Sequence, residues 1–336
     1  MKQWKEWLGA SLFPAETDRW ITYLRVGLGL QVVLYTLSLR ADWSFLFGGT
    51  DVGLNGRAFS EALLSTETPF VPRLGWLVTL GSHIGFSEWT VLSLVWWAFL
   101  CAGCSLLVGL FSRAAAILAW LLHLCAAKSG GLVAYGVDNF MTIGLFYLML
   151  SPLPDRYSLD QLWRKPQPKD RQWSRRAPGD IDGQAERPSE REQTSQLLGF
   201  FRRILQIHLC LIYFFSGLAK SLGSGWWDGS NLWRALIRPP FNVIDPAMLV
   251  RWKYLFPAAG IVICVLETAY PFLIWNRRTR GAWLICICVM HIAIGLTMGM
   301  YLFALVMIVL NLAAFGPDFE RRQDKQGSVR MISGQS

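Results

Sequence analysis

Eight apolar stretches constrain this chain more than anything else in it. They lie at about residues 20–39, 89–111, 114–133, 137–153, 201–220, 255–275, 281–299 and 301–316. A helix needs about 20 mostly apolar residues to cross the hydrocarbon of a bilayer. Lys128, Gly130 and Gly131 interrupt the third and fourth stretches, and the eighth is short. Trp20, Trp89, Trp226, Trp227, Trp252, Trp275 and Trp283 flank the runs, where indole rings favour the membrane interface. The expected fold is all-α, a polytopic membrane protein of about eight transmembrane helices in two four-helix halves, 20–153 and 201–316. Composition agrees: 53% of the 336 residues are hydrophobic and 16% charged, against about 25% charged in soluble domains. Mean hydropathy is +0.33.

The net charge of +9 has two readings, a nucleic-acid surface or an asymmetric membrane protein. The charges sit between apolar runs rather than on one basic face, which excludes nucleic acid as the expected partner and leaves the lipid bilayer. With the N-terminus in the cytosol, the segments up to Arg19, at Arg113, at 154–203, at 276–280 and from 317 carry 22 Lys and Arg. The opposite segments, 40–88, 128–136 and 220–254, carry 9. Positive-inside bias then predicts an inner-membrane protein with both termini cytosolic. The 220–254 segment runs against the bias, because it holds Arg234, Arg238, Arg251 and Lys253.

Residues 1–19 lack the apolar core of a cleaved signal peptide. Trp4, Trp7, Leu8 and Leu12 recur at helical spacing beside Lys2 and Lys5, so an interfacial amphipathic helix is expected there. Residues 154–200 are rich in charge and proline and read as a cytosolic linker; 317–336 read as a cytosolic tail. All seven cysteines fall inside apolar stretches. Cys101 and Cys104 have redox-motif spacing, but an apolar helix is not the electropositive, exposed setting such a pair needs. No His/Cys spacing reads as a metal site.

Ionisable groups inside a bilayer are costly and point to function. Lys220 closes the fifth stretch, and Gln206, Tyr213 and Lys220 share one stripe at seven-residue spacing, with Ser216 and Gly217 beside it. The lysine either snorkels to the outer interface or faces the bundle, where a desolvated neutral amine could act as a base. Glu267 is acidic in the middle of a strong stretch, and Pro271 frees a backbone carbonyl near it. His291 precedes Gly295 and Gly299 on one stripe, either as a buried histidine bonded to backbone or as a pocket residue. Arg25 reads as a snorkelling arginine, and His123 and His208 as core residues without evident partners.

The string from Gln206 through Tyr213, Ser216 and Gly217 to Lys220, followed by Gly225, Trp226, Trp227, Asp228 and Gly229, resembles the membrane domain of vitamin K-dependent gamma-carboxylases. The wider group is the HTTM (horizontally transferred transmembrane) proteins. Glu267 to Pro271, the His291 stretch, Arg25 with Gly27 and Gly29, and the region from Asp138 to Asp155–Asp160 are similar too. The resemblance implies that Lys220 is the base that deprotonates a vitamin K-like quinol. Tyr213, Gln206, Glu267, His291, Asp138, Asn139, Trp226, Trp227 and Asp228 are then the substrate or quinol pocket. Asp138 and Asn139 stand where the animal carboxylases carry an Asn-His pair, so that histidine has no match. The large lumenal domain of the animal enzymes is not expected after the last stretch. Three functions therefore stand open: a quinol- or lipid-binding enzyme, a non-catalytic factor for maturation or export of a secreted peptide, and a proton-coupled transporter; besides the bilayer, the candidate partners are a secreted peptide or a separate soluble protein.

Overall fold

The computed structural model describes residues 9, 11–49, 56–130, 134–163 and 195–317. Of the interfacial helix expected over residues 1–19, residues 1–8 and 10 lie outside the described residues; Gly9, Ser11 and Leu12 are helical, and the chain from Phe13 to Asp18 is not. Most of the linker and the tail also lie outside the described residues. Among the described residues the chain is helical throughout, with a single isolated bridge between Glu16 and Ser195 in place of strands.

Every apolar stretch contains a helix among the described residues. We number them α1 (Arg19–Ser38), α2 (Glu88–Val108), α3 (Ser112–Ser129), α4 (Gly136–Leu150), α5 (Gln196–Ser221), α6 (Phe256–Thr268), α7 (Arg280–Met298) and α8 (Tyr301–Phe315). Four of those described, α1, α2, α5 and α7, are long and apolar enough to cross a membrane. Their outward faces carry large apolar side chains, such as Trp97 at 58% exposure and Ile285 and Leu296 at 62% each. Exposed apolar surface on this scale is stable against lipid, not against water. The protein is membrane-embedded.

Local chemistry sets the helix ends. Ser87 caps α2, accepting from the Thr90 amide, and Gly109 ends it in the left-handed conformation that side chains disfavour. The sixth stretch breaks after Thr268 and resumes as Tyr270–Leu273, because Pro271 cannot donate into the helix ladder. The Leu266 carbonyl, in the last turn before this break, accepts from the Trp283 indole of α7 at 3.2 Å.

α1 is the central helix, packed on α2, α4 and α8. It crosses α2 closely: a methyl group at Gly29 would lie 2.7 Å from the Leu107 backbone nitrogen. α8 packs on α1 and α4 of the first half and on α5 and α7 of the second, so the last helix joins the two halves.

Alternate helix ends gather at two opposite faces. At one face the start of α1, the α2–α3 turn and the segment after α4 meet. Arg25, which sequence reads as a snorkelling side chain, is instead wholly buried there. It donates to Asp155 at 2.6 and 3.2 Å, to the carbonyls of Leu106 and Leu107 at 2.5 and 3.1 Å, and to that of Tyr157 at 3.1 Å. Asp155 lies in the part of the expected linker that the structure describes, and it too is buried. At the same face Asp160 receives the Phe111 and Ser112 amides that open α3, and Arg202 of α5 pairs with Glu16.

The opposite face carries the longer connections. The short helices Trp43–Phe47, Arg57–Glu67 and Leu74–His83 are pinned by Arg57, which bonds the Phe47 carbonyl and Glu88, and by Glu61, which bonds Ser129 and the Gly75 amide. Between α5 and α6, the helices Ser224–Trp227, Ser230–Ile237 and Pro246–Arg251 cover a small core of Leu236, Leu249 and Phe256.

Candidate functional site

The site forms where α5, α6, α7 and α8 meet. The α5 stripe read from the sequence faces inward. Gln206 donates to the Ala314 carbonyl at 2.7 Å, and Arg202, one turn before it, donates to the same oxygen at 2.9 Å. This lower part of the stripe ties α5 to α8 rather than to any open space, and Gln206 is buried.

Tyr213, two turns on, belongs to a four-residue network. Tyr270 donates to Asn311 Oδ1 at 2.7 Å, which fixes the orientation of the Asn311 amide. The two Nδ2 protons of Asn311 then go to the Met307 carbonyl at 2.8 Å and to the Tyr213 oxygen at 2.7 Å. Tyr213 completes its bonding by donating to His291 Nε2, 2.7 Å away. Neutral His291 therefore carries its proton on Nδ1, which is buried and has no partner in the structure. The Tyr213 and Tyr270 rings lie 4.3 Å apart, centroid to centroid. All four residues are buried.

Two turns above Tyr213, Lys220 ends the stripe. Its Nζ donates to Ser216 Oγ and to Glu267 Oε2, each at 2.6 Å, and lies 5.5 Å from the centroid of the Trp226 ring. The lysine side chain is 23% exposed and the glutamate 8%. The lysine thus turns into the bundle to meet α6, as one of the two sequence readings requires. Gly217 permits the approach: a methyl group there would sit 2.5 Å from both the backbone nitrogen and the hydroxyl of Thr268. The Thr268 hydroxyl is buried without a partner.

The connection after α5 roofs this pair. The Trp226 carbonyl rests on Gly260 so closely that no side chain fits there. The Trp227 indole, half exposed, donates to the Ser221 carbonyl at 2.8 Å. Asp228 accepts the Ser230 amide at 2.8 Å, which holds its carboxyl below the usual carboxylate range and starts the helix Ser230–Ile237. Trp226 is therefore a neighbour of the lysine, whereas Trp227 and Asp228 shape the connection.

Asp138 and Asn139 do not join this cluster through any contact in the structure. Asp138, at the start of α4, accepts from Tyr35 of α1 at 2.7 Å and from the Tyr135 amide at 2.9 Å. Asn139 is exposed, as adjacent helix residues point to different sides. Nor are His123 and His208 without partners. His123 Nε2 meets the Asp138 carbonyl at 3.0 Å, and His208 Nδ1 meets the Tyr147 hydroxyl at 3.1 Å. Asn311 and Tyr270 complete the site beyond the residues singled out in the sequence. The signal for Asn311 was a lone amide in an otherwise apolar last stretch.

The seven cysteines are unpaired. Among the described residues no group of three His, Cys, Asp or Glu is placed to hold a metal. No protein-family model, no curated protein and no solved structure matches the chain.

Proposed function

We propose that this is an HTTM-type inner-membrane protein whose Lys220–Glu267 pair is the proton-exchange site of a quinol-dependent enzyme resembling the gamma-carboxylases. In this reading all eight numbered helices span the bilayer, and both termini are cytosolic. The gathering of alternate helix ends at two faces supports such an up-and-down path, and the excess of Lys and Arg in the sequence segments assigned to the cytosol supports its orientation.

The observation that carries the reading is the 2.6 Å contact between Lys220 and Glu267 across two helices. A lysine can act as a base only after losing its proton, and Glu267 is an acceptor already in hydrogen-bond contact. Passing the proton along that bond leaves a neutral amine facing a neutral carboxylic acid, the form in which the lysine can take a proton. The quinol would supply the acidic hydroxyl whose proton the Lys220 amine takes. The His291 Nδ1–H and the Thr268 hydroxyl, both buried without a partner, are the hydrogen-bond donors this reading assigns to the quinol oxygens. Tyr213, Asn311 and Tyr270 hold His291 in the tautomer that makes this donor. Their own polar atoms satisfy one another, so their part is positioning.

The test is quinol turnover by the full chain in lipid nanodiscs, with a vitamin K-type quinol. Lys220→Ala should lower turnover by about 10²–10⁴-fold, the usual range for a lost acid–base group. Glu267→Gln should slow it while leaving quinol binding in place. Unchanged turnover in Lys220→Ala, with the thermal unfolding of the wild type, would overturn the proposal. Because the pair bridges two helices, it also suits a proton-coupled carrier. That reading requires solute accumulation in vesicles that depends on a pH gradient.

A further inference from the structure

The connection between α5 and α6 carries Arg234, Arg238, Arg251 and Lys253 against two acidic residues, Asp228 and Asp245, on the side where positive-inside bias disfavours basic charge. All four basic side chains are exposed, and no ion pair engages any of them among the described residues. Arg251 and Lys253 differ from the other two in their setting. They alternate with Trp252, Tyr254 and Leu255, exposed by 56, 80 and 54%, and Lys253 Nζ lies 5.0 Å from the Tyr254 ring centroid.

Their depth follows from α6. Residues 256–273, the helix and its continuation, span about 27 Å at about 1.5 Å per residue, close to the roughly 30 Å hydrocarbon thickness. Residues 251–255 directly precede that span, and Val262 and Val265 are exposed on it. They therefore stand at headgroup level. Exposed aromatic rings are at home there, and so are basic side chains that find phosphates.

We propose that Arg251 and Lys253, with Trp252 and Tyr254, form a binding site for an anionic phospholipid headgroup in the leaflet on the Lys220 side. The two cations meet the lipid phosphate and its additional negative charge, and the rings pack on the glycerol and upper acyl chains. An acidic peptide would match the charge but not three exposed apolar side chains interleaved with it. The proposal needs only that α6 crosses the bilayer; it does not depend on the chemistry of Lys220.

The test places a benzophenone amino acid at position 254 of the full chain, reconstituted in vesicles of phosphatidylcholine with one-third phosphatidylglycerol. Photo-adducts on the peptide containing residue 254 should carry phosphatidylglycerol well above its one-third share. Replacing Arg251 and Lys253 together with Gln should bring the adducts back to that share, the ratio of phosphatidylglycerol to phosphatidylcholine adducts falling by roughly fivefold for each charge removed near the surface. The swap Arg251→Lys with Lys253→Arg should keep the excess. Raising the salt on the unsubstituted pair should erode it, which serves as the test if the Gln variant fails to fold. Adducts at the one-third share in 50 mM salt would overturn the proposal. So would the loss of lipid adducts to an added polyglutamate peptide.

Discussion

Replacing Arg25 with Met tests whether the contacts at the α1 start are as buried as the structure has them. The guanidinium makes five hydrogen bonds, two to Asp155 and three to carbonyls, and both ionic side chains are at most 1% exposed. Removing one partner of such a pair strands the other, at a cost of about 3–5 kcal/mol. The Thr22 hydroxyl, 2.6 Å from Asp155, offsets only part of this. At about 2–4 °C per kcal/mol for a chain of this size, unfolding should move down by about 6–20 °C. The molecule supplies its own reporter, since Cys125, Cys210 and Cys264 are free and buried in the bundle. A thiol-reactive fluorophore added to protein in detergent micelles will light up as the helices separate. The double variant Arg25→Met with Asp155→Asn, which removes the stranded charge, should recover a substantial part of the loss. A shift under about 2 °C in the single variant would refute the burial of the pair, because an exposed ion pair is worth about 0–1 kcal/mol.

Asn311→Leu should cost about 1–3 kcal/mol by the same thiol assay, since Tyr213 and Tyr270 lose their shared partner in a buried setting; a neutral outcome would mean that the network is not closed. Nitrogen-15 spectra of histidine-labelled protein should show His291 protonated on Nδ1, assigned by its disappearance in His291→Gln, and an Nε2–H signature would contradict the bonding order derived for Tyr213. Asp228 has its carboxyl held low by the Ser230 amide, so its contribution to the fold is complete above the unfolded value near 3.9 and fades as pH falls through the lower folded value. Hydrogen exchange in Ser230–Ile237, corrected for intrinsic rates, should therefore accelerate on acidification below about pH 4 in the wild type but not in Asp228→Asn, and identical profiles would exclude this role.

Helix positions were legible because apolar runs and their punctuation are local. Helix limits fall close to the apolar stretches, and the break at Pro271 follows from its missing amide. Partnerships were legible only where one helix stripe carried them. Gln206, Tyr213 and Lys220 share a face by spacing alone, yet nothing in the spacing says that the lysine meets Glu267, 47 residues away. Arg25 is the sharper case. Its distance from the end of α1 suits a snorkelling side chain, and the carboxylate that draws it inward lies 130 residues later. The histidines follow the same logic: the partner of His123 is a backbone carbonyl, which leaves no mark in composition. Asn139 could be separated from Asp138 by helix geometry, since only one of two neighbours can face the core.

The position of α8 bears on how the protein is made. Gln31 of α1 donates to the Leu302 carbonyl, 271 residues later, and Gly27 rests against Val309. A ribosome adding about 5–20 residues per second needs roughly 15–55 s to cover that distance. For that interval the first helix sits in the bilayer with an amide unsatisfied on the flank that α8 will cover. The insertion machinery must therefore shelter α1, or lipid must tolerate it. A nascent chain stopped before Tyr301 would leave that flank, with the Gln31 amide on it, uncovered by α8.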